Sequence, residues 1–137
     1  MSSKMGLIIL DNCMNLGKKV NSHLTKVNNS NNSYIIPIEQ VRFNNGEGKI
    51  VIKETIREKT VFILSDVGNH NCTYKMFDYE NHMGPDEHFQ DIKRVISAIG
   101  GNASKIILIM PLLYSSRQHK RKGRESLDCA IALQELE

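Results

Sequence analysis

Long apolar runs are missing from this sequence of 137 residues. None approaches the roughly 18 residues needed to cross a bilayer, which argues against a membrane helix. Paired cysteines are missing too. Cys13, Cys72 and Cys129 are odd in number, far apart and never in a Cys-x-x-Cys spacing, so reduced thiols are expected rather than a disulfide framework, redox pair or zinc pair. Metal-ligand spacings are also scarce. His70, Cys72, His82, Asp86 and His88 share one stretch, but with no close cysteine pair and no His-x-x-x-His arrangement a polar loop and helix start are expected there, not a metal site. After Met1-Ser2-Ser3-Lys4-Met5, the apolar run over 7–10 meets Asp11 and Asn12, too soon for a signal-peptide core. A cytoplasmic protein is expected.

What is present fits one globular domain. At 40% hydrophobic and 24% charged residues, the chain has enough apolar material for a core without disulfide or metal support. Its formal charge is +3, yet Arg117, Lys120, Arg121, Lys122 and Arg124 place five cations within eight residues; subtracting those five leaves −2 elsewhere. A nucleic-acid binder usually spreads its cations over a face, whereas one dense cluster suits a compact polyanion such as a nucleotide phosphate. Nucleic acid is therefore the least favoured partner, and no membrane partner is expected.

Periodicity predicts alternating strands and helices. The uniformly apolar stretches 6–10, 61–64 and 106–110 read as strands covered on both faces, as in a parallel sheet. Cys13, Leu16, Val20, Leu24 and Val27 fall on one helical stripe, with Asp11 or Asn12 as cap. A strand is predicted over 34–38, with Pro37 marking an edge or end. The turn chemistry of 42–48 and the Ile50/Ile52 alternation predict a two-stranded excursion. A long loop is expected over 65–84. Pro85 then opens a helix with Phe89, Ile92, Val95, Ile96 and Ile99 on its stripe, and Gly100-Gly101 ends it. Ser126 is the expected cap of a last helix bearing Leu127, Ala130, Leu133 and Leu136. The fold class is α/β, a mainly parallel central sheet flanked by helices, with right-handed crossovers expected.

In such sheets ligands bind beyond the carboxyl ends of strands, which is where the segment 111–125 emerges. Arg117 offers a planar, two-pronged donor to phosphate oxygens, and Gln118 offers a donor and an acceptor to an adenine edge. From charge pattern alone a solvated basic loop is the commoner outcome. Three stretches shift that balance: Arg42-Phe43-Asn44-Asn45-Gly46-Glu47; Glu54-Thr55-Ile56-Arg57-Glu58-Lys59-Thr60-Val61-Phe62-Ile63; and Met110-Pro111-Leu112-Leu113-Tyr114-Ser115-Ser116-Arg117-Gln118. Together, in this order, they resemble the N-terminal domain of ribose-phosphate pyrophosphokinase, with its Arg-Phe-x-(Asp/Asn)-Gly-Glu, Glu-x-(Val/Ile)-Arg-x-x-x-Val-x-(Ile/Val) and Pro-x-x-x-Tyr-Ala-Arg-Gln segments.

The resemblance implies a phosphoribosyltransferase-like fold and the magnesium-assisted transfer of pyrophosphate from ATP to ribose 5-phosphate. It implies ATP contacts by Arg117 and Gln118 and, from a neighbouring subunit of a homo-oligomer, by Phe43, Asn45 and Glu47. It also associates Arg57 and Arg124 with an allosteric phosphate. The departures are His119 in place of the usual aspartate, a basic loop one residue shorter before Arg124-Glu125, Ser126 in place of proline, and an apparent insertion over 70–84. The family's phosphoribosyl-binding loop has no counterpart, since Thr25, Thr55, Thr60 and Thr73 all lie in other settings. Residues 1–137 are thus expected to be a single ATP-side domain of a two-domain enzyme, truncated inside its last helix, with no catalytic group or magnesium ligand of its own. The alternative is a noncatalytic nucleotide-binding or regulatory module that associates with an active synthetase.

Overall fold

In chain order the elements are β1 (Met5–Ile9), α1 (Met14–Val27), β2 (Ile38–Arg42), β3 (Gly48–Ile52), β4 (Thr60–Leu64), β5 (Thr73–Met76), β6 (Tyr79–His82), α2 (Pro85–Ile99), β7 (Lys105–Ile109) and α3 (Asp128–Leu136), with 3-10 turns at Asp11–Cys13 and Ser116–Gln118. The structure is a computed structural model that describes residues 4–137; residues 1–3, the start of the segment expected to lack a signal-peptide core, lie outside the described residues.

The apolar strands form the predicted parallel sheet, in the order β1-β4-β7 with Ile8 beside Ile63 and Ile63 beside Leu108. Side chains alternate across it. Ile8, Val61 and Ile63 point into the larger core with Phe89, Ile92, Val95 and Ile99 of α2, while Leu7, Ile9 and Leu64 meet Cys13, Val20 and Leu24 on the α1 side. Pro85 takes the first turn of α2 as predicted, and Gly100 ends the helix in the left-handed region at φ 59°.

Several boundaries differ from the sequence expectations. At the start of α1 neither Asp11 nor Asn12 caps the helix, because the Asn12 side chain is engaged with Ser65 and the Asp66 N–H. Leu16 and Val27 are exposed, and buried Gly17 occupies the centre of the helix–sheet contact. Of the strand expected over 34–38, only Ile35 bridges to Leu7; Pro37, which lacks an N–H, separates this bridge from β2. The loop expected over 65–84 contains the hairpin β5–β6: Tyr74 and Met76 alternate inward on four-residue β5, too short a run to stand out, and β6 is mostly polar. β7 is half exposed rather than buried, since α1 packs over β1 and leaves that face of β7 open. α3 starts at Asp128 without a side-chain cap, so Ser126 does not cap it. Cys129 and Ala132 face inward while Leu133 faces solvent.

Candidate functional site

Two segments carry the predicted ATP-contacting residues, and both lie toward the carboxyl end of the sheet. The first follows β7. Ser115 adopts a left-handed conformation at φ 54°, uncommon for a residue other than glycine, and the chain then tightens into the turn Ser116–Gln118 through Gln118 N–H to Ser115 O at 2.9 Å. Arg117 is exposed on this turn. His119 Nδ1–H donates to Ser116 O at 2.7 Å and the Lys122 N–H donates to Glu125 Oε1 at 2.7 Å. Among the described residues no carboxylate pairs with Arg117, Lys120, Arg121, Lys122 or Arg124. The loop is therefore an open cationic surface. Gln118 Oε1 is buried without a hydrogen-bond partner, an unpaired acceptor at the base of that surface.

Tyr114 anchors the loop. It stands one residue nearer Pro111 than the family spacing has it, so Ser115 and Ser116 separate it from Arg117. Its ring stacks on Phe89 of α2, with centroids 4.2 Å apart and planes 6° apart, and its hydroxyl donates to Asp86 Oδ1 at 2.5 Å. Burial, and then the bond to Asp86, push the Tyr114 phenol above its ordinary value.

The second segment is the β2–β3 turn. As β2 passes the end of β1, the Asp11 N–H donates to Gln40 Oε1 at 2.7 Å, so the 43–47 turn extends beyond the sheet on the β1 side. Phe43 N–H to Glu47 O at 2.8 Å and Gly46 N–H to Phe43 O at 2.9 Å close the turn. The Asn45 side chain accepts the Glu47 N–H at 3.1 Å, and Phe43 remains exposed.

Phe43, Asn45 and Glu47 thus stand on the β1 side, and Arg117 and Gln118 on the β7 side. Among the described residues no hydrogen bond, ion pair or ring contact joins the two sets. Arg57 precedes β4 at the amino end and lines a cleft of about 230 Å³ with Ala98 and Asn102, while Arg124 belongs to the loop at the opposite end. One copy of the chain does not bring these two arginines together.

Between the two sides lies a buried polar network, in which Asn12 and His88 take roles other than the helix cap and metal ligand considered for them and Asp91 was not foreseen. Asn12 accepts the Asp66 N–H at 3.0 Å and donates to Ser65 Oγ at 3.0 Å, tying the carboxyl ends of β1 and β4 together. Buried His88 donates through Nε2 to Asn69 O at 2.6 Å, a tautomer set by the carbonyl's inability to donate. Asp91 is also buried on the apolar face of α2. A charged residue three positions after His88 and four before Val95 was the available signal. Among the described residues no three His, Cys, Asp or Glu side chains gather to hold a metal ion.

Residues 5–137 match the family described as the N-terminal domain of ribose phosphate pyrophosphokinase. The chain belongs to that family. No curated protein sequence matches it. Among solved structures it is similar to phosphoribosylpyrophosphate synthetase from Mycobacterium smegmatis, at 19% identity and a TM-score of 0.69, covering 97% of this chain and 39% of that one. At this identity the likeness shows the fold, and the chain spans well under half the length of that enzyme. Membership agrees with the parallel sheet and with the order of the three motifs.

Proposed function

We propose that this domain is the ATP-side half of a ribose-phosphate pyrophosphokinase. In that reaction the anomeric hydroxyl of ribose 5-phosphate attacks the β-phosphorus of ATP. A new O–P bond forms, the bond to the α-phosphate breaks, AMP leaves and the hydroxyl gives up its proton. The observation that carries the reading is the unpaired cationic turn at the carboxyl end of β7, with Arg117 exposed and five cations free of carboxylates among the described residues. Arg117 would bind phosphate oxygens in a two-pronged contact. Gln118 would turn its unpaired oxygen toward the adenine amino group, gaining the donor it lacks.

Phe43, Asn45 and Glu47 would complete the adenine pocket of a neighbouring copy in a homo-oligomer. Their separation from Arg117 within one chain supports that arrangement. By the same reasoning Arg57 and Arg124 would share an allosteric phosphate only across a subunit boundary. Magnesium would accompany the nucleotide's phosphates, where it neutralises charge; the described residues do not build a site for it. Phosphoryl transfer relies on positioning and on electrostatic stabilisation, so this half alone should bind nucleotide weakly and turn over little. The reading places the protein in the cytoplasm, with neither nucleic acid nor membrane as a partner.

Thermal-shift titrations with ATP, GTP and inorganic phosphate test the reading. ATP should stabilise most, and replacing Arg117 and Gln118 together by alanine should weaken ATP by about tenfold or more, the loss of charge-assisted hydrogen bonds. Equal responses to all three ligands would contradict it.

A further inference from the structure

A charge cluster lies beneath the 43–47 turn. Asp91 of α2, its side chain only 5% exposed, binds two guanidinium groups: Arg42 Nη2 donates to Oδ2 at 2.7 Å and Arg94 Nη1 to Oδ1 at 2.5 Å. The other terminal nitrogen of Arg42, Nη1, donates to Gly46 O at 3.0 Å. One arginine thus reaches from the helix to the turn. Its environment holds it there from two sides. Arg42 and Arg94 converge on Gly48, where a Cβ would lie 2.5 Å from Arg94 Nη1 and 3.0 Å from Arg42 Nη1, so a larger residue there would push a guanidinium group aside. From the hairpin β5–β6, the Tyr74 ring covers Arg42 at 5.4 Å, and a Cβ on Gly46 would lie 3.3 Å from Tyr74 Oη and 3.4 Å from Met76 Cε.

The electrostatics make Asp91 the central member. Two guanidinium groups share one carboxylate in a largely dehydrated setting, where removing the anion would leave them facing each other uncompensated. Arg42 would then have no reason to keep its orientation toward Gly46. The turn's internal hydrogen bonds define its shape, and β3 packs along α2 behind it. The Arg42 side chain adds a direct link from Asp91 of the helix to the turn itself at Gly46.

We propose that Asp91, acting through Arg42, is the positioning residue of the 43–47 turn and sets how Phe43, Asn45 and Glu47 are presented. What the turn touches rests on the nucleotide reading above; the clamp itself does not. The hairpin β5–β6 braces the clamp through Tyr74 and Met76, which gives the 70–84 segment a role in ordering the turn.

Amide hydrogen exchange on the 137-residue chain tests the clamp directly. Asp91→Asn should speed exchange at Gly46 and Glu47 by about tenfold, one power of ten in the opening equilibrium, while β1 and β4 stay protected. Arg42→Lys keeps the charge but loses the two-ended bridge, so it should do the same even if Asp91→Asn folds poorly. Calorimetric titration supplies a second readout: Asp91→Asn should weaken ATP about fivefold or more and leave inorganic tripolyphosphate unchanged, since Arg117 is untouched. Unchanged exchange at Gly46 in the folded variants, or equal weakening of ATP and tripolyphosphate, would overturn the proposal. Wild-type protein that binds ATP no better than tripolyphosphate would instead defeat the nucleotide reading, and the exchange comparison would still decide the clamp.

Discussion

Tyr114 shows how one side chain couples the basic loop to the helix layer, stacking on Phe89 while its hydroxyl binds Asp86. Its phenol is held above the ordinary value, chiefly by burial, so the folded state keeps this proton more tightly than the unfolded chain. That contribution to stability is complete below an unfolded value of about 10 and is lost as pH rises through the folded value. Tyr114→Phe should cost about 1 kcal/mol at neutral pH and should lose less stability than wild type on going to strongly alkaline solution, as urea unfolding at the two pH values would report. The thiols offer a second check at this scale. Burial first, and then nearby Asp66, raises the Cys13 thiol; burial, Asp11 and Asp66 raise that of Cys72. At neutral pH both stay protonated and poorly nucleophilic. Iodoacetamide should therefore label partly exposed Cys72 slowly, and buried Cys13 and Cys129 only upon unfolding, as peptide mass spectrometry would show.

Between elements, the approach of α1 to β1 depends on Gly17. A Cβ there would lie 2.5 Å from both Cδ1 and Cγ2 of Ile9, so the helix sits closer to the strand than alanine permits. Gly17→Ala gains helix propensity of about 1 kcal/mol but forces overpacking that costs about 1–3 kcal/mol, and the clash should win. A lower melting temperature is the expected result. The β5–β6 hairpin should respond in the opposite sense. Its two-residue turn places Phe77 and Asp78 in the left-handed region at φ 48° and 70°, where an aromatic residue is poorly suited and Asn-Gly is preferred. Phe77→Asn combined with Asp78→Gly should stabilise the hairpin by about 1 kcal/mol, seen as slower amide exchange across β5 and β6.

For the molecule as a whole, the two sheet faces are unequally covered. α2 and the β2–β3 hairpin pack over one face, while α1 packs on β1 and leaves the same face of β7 open, with Ile109 41% exposed near the exposed Leu112 and Leu113. β7 is also an edge strand of the three-stranded sheet. An open edge next to apolar surface favours association. Sedimentation velocity over a range of concentrations should show self-association of the wild-type chain, and Ile109→Lys should reduce it. Unaltered association in that variant would place the contact elsewhere.

By itself the sequence determined what depends on local period and turn chemistry. Uniform apolar runs specify strands covered on two faces, the stripe from Phe89 to Ile99 specifies α2, and Asn44-Asn45-Gly46 specifies the hairpin turn, because each signal spans only a few bonded neighbours. Placement of Arg117 and Gln118 at a strand's carboxyl end was legible for the same reason. The hairpin β5–β6 was not, since its strands are only four residues long and the Tyr74/Met76 alternation of β5 faces a β6 with polar Glu80 and Asn81 at its centre. Tertiary structure alone decided that β7 is an edge, that Gly17 rather than Leu16 faces the sheet, and that the 43–47 turn and the 117–118 turn stand on opposite sides. It also decided the partner of Arg42: Asp91 lies 49 residues away in sequence. Neither spacing nor composition encodes such a pair, because its energy arises only when folding removes both charges from water and sets them side by side.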